Sequence, residues 1–180
     1  MRSLAHKALP HFDLSWITET LAIGGSFPPM YTQVLARDHG VSAVVDLRGE
    51  GSDDEQLLAK HHIAFLHLPT IDFEAVSPTM LRRGIAFVTE QLSSGRRVLV
   101  HCACGIGRSA MLGLCVLVEH GHAPIEALAL AKQRRPCVSP SRAQYEGWAA
   151  WLAAHQAERG TTWRIPTFDE FQAIAYRRQR

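Results

Sequence analysis

Long hydrophobic runs are missing from this sequence of 180 residues. The longest, Ala110 to Val118, is far too short to cross a bilayer as a helix. The first residues, Met1-Arg2-Ser3-Leu4-Ala5-His6-Lys7, carry no sustained apolar stretch, so a secretory signal is not expected. Cysteine is scarce. Cys102, Cys104, Cys115 and Cys137 make no dense disulfide framework, which points to a reducing, cytoplasmic setting and leaves thiols free for chemistry. An excess of one charge is lacking too: 19 Lys and Arg face 17 Asp and Glu, a formal +2, too even to argue for nucleic acid as a partner. The ten histidines, His61-His62 and His120-Gly121-His122 among them, show no Cys-x2-Cys or His-x3-His spacing, so no metal site is expected. No internal repeat or low-complexity linker interrupts the chain.

What is present is ordinary for a compact domain: 47% hydrophobic and 20% charged residues. A chain of this size can bury roughly 70% of its unfolded surface, so its core needs no staples. Apolar runs alternate with helical patterns, the rhythm of an α/β domain. Strands are predicted at Leu21 to Ile23, Val41 to Leu47, Ile63 to Leu68 and Arg97 to Val100, the last the most apolar and therefore central. Helices are predicted from Pro28 to His39, with Gly40 suited to the left-handed position beyond its end, and from the capping-box spacing Ser52-Asp53-Asp54-Glu55 to about His61. Ser77-Pro78 opens another, which sets Leu81, Ile85, Val88 and Leu92 on one face. An almost wholly apolar helix follows the Cys102 to Ser109 loop and runs to about His120. Two more are predicted at Pro124 to Arg134 and, opened by Ser139-Pro140, at Pro140 to Gln156. Near the C-terminus Thr167-Phe168-Asp169-Glu170 has capping-box spacing and opens a short helix with Phe168, Phe171 and Ala175 on one face. This segment reads either as a tail packed back on the domain or as a docking segment ending in Arg177, Arg178 and Arg180.

The chemistry is concentrated in Val98-Leu99-Val100-His101-Cys102-Ala103-Cys104-Gly105-Ile106-Gly107-Arg108-Ser109. A buried strand ends at a cysteine and a helix begins six residues later at an arginine. Two glycines between them let the backbone curl so that successive N–H groups point inward. Such a nest at a helix N-terminus binds an anion, here phosphate or sulfate, through unpaired donors and the helix dipole. Arg108 adds a planar fork that matches two phosphate oxygens. The same positive field favours a thiolate at Cys102. A cysteine simply buried beside a tight turn would need neither Arg108 nor the glycines.

The run matches a His-Cys-x5-Arg-Ser signature, and on it the chain resembles the cysteine-dependent protein tyrosine phosphatases. The resemblance covers roughly Trp16 to Gln156, with Trp16 to Gly25 similar to the opening strand of dual-specificity members. It implies a central, mainly parallel twisted sheet flanked by helices, with the site at a strand's C-terminal end. It also implies a catalytic domain over residues 16–156 and a C-terminal extension over 157–180. Cys102 is then the nucleophile, and Ala103, Cys104, Gly105, Ile106, Gly107 and Arg108 form the phosphate loop. Ser109 resembles the hydroxyl that bonds the thiolate. His101 resembles the loop-shaping histidine and is expected to be satisfied by backbone groups. A general acid is implied on the loop after Leu68, where Asp72, 30 residues before Cys102, leads over Glu74.

Arg48, ending Val45-Asp46-Leu47-Arg48, is either a rim contact for the substrate phosphate or a salt-bridge partner of Asp46 or Glu50. Gln144 is either a water-positioning glutamine or a surface residue. The implied reaction is two-step phosphomonoester hydrolysis needing no metal or cofactor, on phosphotyrosine and phosphoserine or phosphothreonine proteins. The x5 positions carry no basic residue, which disfavours a polyphosphorylated inositide. Leu68 to Phe73 and Leu81-Arg82-Arg83-Gly84 also resemble the mitochondrial-type phosphatidylglycerophosphate phosphatases, which keeps a lipid substrate open. Cys104 is a candidate disulfide partner for Cys102 after oxidation, with Cys115 or Cys137 as alternatives. A non-catalytic phospho-binding module would have lost Cys102, Arg108 or the acid, and arsenate reduction or sulfur transfer would not need Asp72.

Overall fold

The computed structural model describes residues 12–177; Met1 to Lys7, Arg178 and Arg180 lie outside the described residues. Five strands form one sheet: β1 (Leu14–Trp16), β2 (Leu21–Gly24), β3 (Val41–Arg48), β4 (Ala64–Thr70) and β5 (Arg97–His101). Their order is β1-β2-β5-β3-β4, so the most apolar strand is indeed central. All pairings are parallel except β1 with β2. The predicted single opening strand is thus a hairpin. The Ile17 N–H donates to the Leu21 carbonyl at 2.8 Å and Thr18 Oγ1 accepts from the Leu21 N–H at 3.0 Å, which turns the chain back.

Side chains of successive strand residues leave on opposite faces, and both faces are covered. Leu21, Ile23, Ala43, Val45, Val98 and Val100 join one cluster with α3 (Pro78–Ser93), α4 (Arg108–Glu119), α5 (Pro124–Arg134), α6 (Arg142–Arg159) and α7 (Phe168–Ala175). The alternate residues Ala22, Val44 and Leu99 meet Leu35 of α1 (Thr32–Arg37) and Leu58 of α2 (Glu55–Lys60). Helix α4 is buried at every residue from Arg108 to Val118, which is why it carries no polar face. Among the described residues no helix is long and apolar enough to cross a membrane.

Three predicted helix starts move. The helix expected from Pro28 begins as a 3-10 turn, Pro29–Tyr31, before α1. Asp54, not Ser52, caps α2 through the Leu57 N–H at 2.9 Å, because Asp53 is drawn into the interior by Arg48 and His101. Ser141, not Ser139, caps α6. The Ser139 N–H is committed to the Ile106 carbonyl at 3.0 Å, which keeps that stretch extended. The C-terminal segment packs back on the domain: Phe171 and Ala175 are fully buried, and Lys132 Nζ donates to the Ala175 carbonyl at 2.6 Å.

Candidate active site

Strand β5 delivers Cys102 to the C-terminal edge of the sheet, and α4 starts at Arg108. The loop between them is shaped from outside. Its carbonyls at 103, 104, 105 and 106 are each taken by a donor on another segment. The Ser26 N–H donates to Ala103 at 3.1 Å, Arg135 donates to Cys104 at 2.9 Å and to Gly105 at 2.7 Å, and Ser139 holds Ile106. With the carbonyls fixed outward, the amides turn inward. Gly105 takes φ +66°, and a Cβ there would sit 2.4 Å from both Arg135 and the Gly24 backbone. Only glycine fits.

Cys102 is buried, with Sγ 3.3 Å from Ser109 Oγ and receiving the Gly105 N–H at 3.3 Å. Burial pushes the thiol up, but the Ser109 hydroxyl and the backbone N–H groups of Ser109, Gly105 and Ile106 outweigh it and hold Cys102 below its ordinary value. Cys115 has burial without such donors, and its thiol is pushed well up. One of these thiols is activated and the other is inert core. Cys104 and Cys137 are exposed, and all four cysteines are free.

Arg108 is buried and pinned from the acid side of the cleft. Its terminal nitrogens donate to the Glu50 carboxylate at 2.7 and 2.9 Å, and Nη1 also reaches the Thr70 carbonyl at 2.9 Å. The Arg108 pairing holds the Glu50 carboxyl at about 2. Arg108 Nε is left over: it is buried and makes no hydrogen bond. Asp72 Oδ1 lies 3.2 Å from it but out of line with the N–H. A buried charged donor without an acceptor is costly, and an anion seated in the loop would supply one.

Asp72 itself is exposed on the loop after β4, and that loop is fastened to α6 and α4. Ser141 Oγ donates to the Phe73 carbonyl at 2.6 Å, Gln144 Nε2 to the Glu74 carbonyl at 3.3 Å, and the Val76 N–H to Met111 Sδ at 3.4 Å. Gln144 is buried rather than on the surface, and its side chain lies where a Cβ on Gly107 would meet Oε1 at 2.4 Å. The cleft that results, about 110 Å³, is lined by Asp72, Phe73, Cys102, Ile106, Arg108 and Gln144. Glu74 is not among its walls. A larger hollow of about 340 Å³ beside His120 and His122 opens at the other end of the strands and has no cysteine in its lining.

Residues 25–153 match the family described as dual specificity phosphatase, catalytic domain. The chain belongs to that family. Human dual specificity protein phosphatase 8 is 33% identical over 164 residues, 86% of this chain and 24% of that protein. The human phosphatidylglycerophosphatase and protein-tyrosine phosphatase 1 is 30% identical over 127 residues, 66% of this chain and 63% of that protein. Among solved structures, Tk-PTP in its active form superposes with a TM-score of 0.70 at 27% identity, covering 82% of this chain and 97% of that one. The chain spans about a quarter or less of the length of several of its dual-specificity relatives.

The expectation for His101 is corrected in part. Of the two roles read for Arg48, the salt bridge to Asp46 holds and the rim contact does not, since Arg48 is not in the cleft lining. Its guanidinium is bound to Asp46 at 2.7 Å and to Asp53 at 2.6 Å, because two buried carboxylates beside it demand a cation. His101 is satisfied by backbone on one side only: Nδ1 faces the Cys102 carbonyl at 3.3 Å, but Nε2 meets Asp53 Oδ2 at 2.7 Å. Asp46, Asp53 and His101 come close enough to suggest a cation site. Arg48 already fills that role. Glu50, Asp53 and Arg135 were not singled out by the sequence, since each acts through a partner far along the chain.

Proposed function

We propose that this chain hydrolyses phosphomonoesters through a cysteinyl-phosphate intermediate, acting on phosphotyrosine and phosphoserine or phosphothreonine proteins. The observation that carries the reading is the buried Arg108 Nε, without a hydrogen bond, beside an activated Cys102 in an amide-lined loop. In the first step a Cys102 Sγ lone pair attacks phosphorus, and the bond to the leaving oxygen breaks as Asp72 delivers its proton there. Arg108 and the loop amides hold the three equatorial oxygens throughout. In the second step the Asp72 carboxylate takes a proton from water, which attacks phosphorus. The S–P bond breaks, and the Ser109 hydroxyl receives the departing thiolate.

The same reading takes residues 16–156 as the catalytic unit and 157–180 as its extension, and it sets the activity in a reducing, cytoplasmic compartment, in keeping with four free cysteines. A lipid phosphomonoester is the second reading, favoured by the 30% identity to the human phosphatidylglycerophosphatase and protein-tyrosine phosphatase 1. The carboxylates of Glu50 and Asp72 near the mouth, with Arg108 the one basic residue in the cleft lining, speak for a protein substrate over a densely charged headgroup. The test is cleavage of p-nitrophenyl phosphate by the wild type and by Cys102→Ser, followed by parallel turnover of phosphotyrosine, phosphoserine and phosphothreonine peptides and of phosphatidylglycerophosphate. Undiminished cleavage by Cys102→Ser would remove the assignment. Preferential turnover of the lipid would select the second reading.

A further inference from the structure

Glycine inside a helix calls for an explanation, since no residue but proline forms helix less readily. Gly147 lies well within α6 and takes no left-handed φ, so backbone conformation does not require it there. Close approach does. A Cβ on Gly147 would sit 2.7 Å from the Ala75 Cβ and 2.8 Å from Met111 Cε. The Met111 methyl ends a flexible side chain and can move aside. The Ala75 Cβ cannot, because it is fixed to the backbone of the loop that carries Asp72.

That loop has few other holds. Ile71, Asp72, Phe73 and Glu74 are all exposed, Ile71 and Phe73 to 74% and 72%. The Asp72 side chain is 57% exposed and approaches Arg108 Nε without a hydrogen bond, so it does little to anchor itself. The four residues behind it are each engaged from α6, its cap or α4. Ser141 Oγ donates to the Phe73 carbonyl at 2.6 Å and Gln144 Nε2 to the Glu74 carbonyl at 3.3 Å. Ala75 seats on Gly147, and the Val76 N–H donates to Met111 Sδ at 3.4 Å. The Gln144 bond is already long, and a loop pushed outward would lose it.

We infer that Gly147 is a positioning residue for Asp72: the side chain it lacks is the space in which Ala75 docks, and this docking holds the acid loop over the phosphate cleft. The inference rests on the reading of Asp72 as general acid. Carbon atoms in contact lie about 3.5–4.0 Å apart, so a methyl group on Gly147 would displace Ala75 by about 1 Å. A misplacement of that size near a reacting group can lower a rate by about 10²-fold.

The test uses the full chain. Its readout is kcat/KM for phenyl phosphate, whose leaving oxygen needs a proton, beside p-nitrophenyl phosphate, which needs one much less, with Asp72→Asn as reference. Gly147→Ala supplies the methyl and raises helix propensity. It is expected to lower kcat/KM at least about tenfold for phenyl phosphate and less than about threefold for p-nitrophenyl phosphate. Adding Ala75→Gly removes the opposing methyl and is expected to restore most of the loss. Ala75→Val makes the same collision from the loop side with α6 unaltered; it is expected to reproduce the selective loss, and it carries the test if Gly147→Ala does not fold. Alkylation of Cys102 by iodoacetamide is expected to keep its wild-type rate in Gly147→Ala. A changed rate would place the fault in the phosphate loop and overturn the inference. Equal losses on the two substrates, no loss, or no recovery in the double variant also overturn it. Equal losses in Asp72→Asn itself would remove the reading of the acid, whereas a selective Asp72→Asn beside an unselective Gly147→Ala overturns the inference alone.

Discussion

The Glu50 carboxylate lies across the outer edge of the Arg108 guanidinium, one oxygen 2.7 Å from Nη1 and the other 2.9 Å from Nη2. This fork-on-fork pairing spends the outer nitrogens on protein and turns Nε toward the cleft. We expect Glu50→Gln to lower kcat/KM for p-nitrophenyl phosphate about tenfold, chiefly through KM, because a loosened Arg108 binds the phosphate less well. An unchanged KM would mean that Arg108 is oriented by Thr70 alone.

The same pair sets an acid limit. Glu50 is held at about 2 against an ordinary 4.5, so its folded value is depressed. Its contribution to stability is therefore fully present above about 4.5 and is lost as the pH falls toward 2. Since Glu50 is half exposed, the contribution is small, below about 1 kcal/mol. Thermal melts of wild type and Glu50→Gln should differ at pH 7 and converge near pH 2. A constant difference across that range would assign the effect to something other than ionisation.

Removal of the Asp72 carboxylate, the proposed general acid, should have an effect that depends on the leaving group. Asp72→Asn is expected to slow turnover of phenyl phosphate by roughly 10²- to 10⁴-fold, and of p-nitrophenyl phosphate much less, since nitrophenolate departs without a proton. Equal losses on the two substrates would take the general-acid role away from Asp72.

Phe73 combines an exposed aromatic ring with φ +64°, a backbone region that bulky residues avoid, and it forms one wall of the cleft. Phe73→Gly relieves the strain and gives up the wall. We expect stability unchanged or higher by up to about 1 kcal/mol, a Tm gain of at most a few degrees, with a raised KM for aryl phosphates. A clear fall in Tm would show that the ring contributes packing that its exposure hides.

Phe171 is fully buried against Tyr145 and Trp148, at ring-centroid distances of 5.0 and 5.9 Å. Phe171→Ala should cost about 3–5 kcal/mol in denaturant unfolding, while leaving turnover at low temperature near that of the wild type. A loss below about 1 kcal/mol would make α7 a detachable segment instead of part of the core.

Much of this architecture was legible because it is local. The caps at Ser77 and Thr167, the left-handed Gly40 and the apolar run that becomes β5 each announce themselves within a few residues. So does the loop from Cys102 to Arg108, whose spacing is its own geometry. Glu50, Asp53 and Arg135 were illegible for the opposite reason. They lie 58, 48 and 30 residues from the groups they hold, and no period or motif marks a charge for a partner that only the folded sheet brings near. The misplaced caps follow from the same cause. Ser52 and Ser139 look free to start helices in sequence, but in space Asp53, the neighbour of Ser52, and Ser139 itself are already engaged with the edge of the sheet that carries Cys102.

The outward grip on the phosphate loop also sets a timetable. Arg135 and Ser139, which hold three of the four loop carbonyls, are synthesised more than thirty residues after Cys102. Until they emerge and dock, the loop amides have no reason to converge, and the sulfur is an ordinary thiol. The environment that favours a thiolate at Cys102 is thus complete only with the fold, and a chain truncated before Arg135 is expected to carry Cys102 as an ordinary thiol.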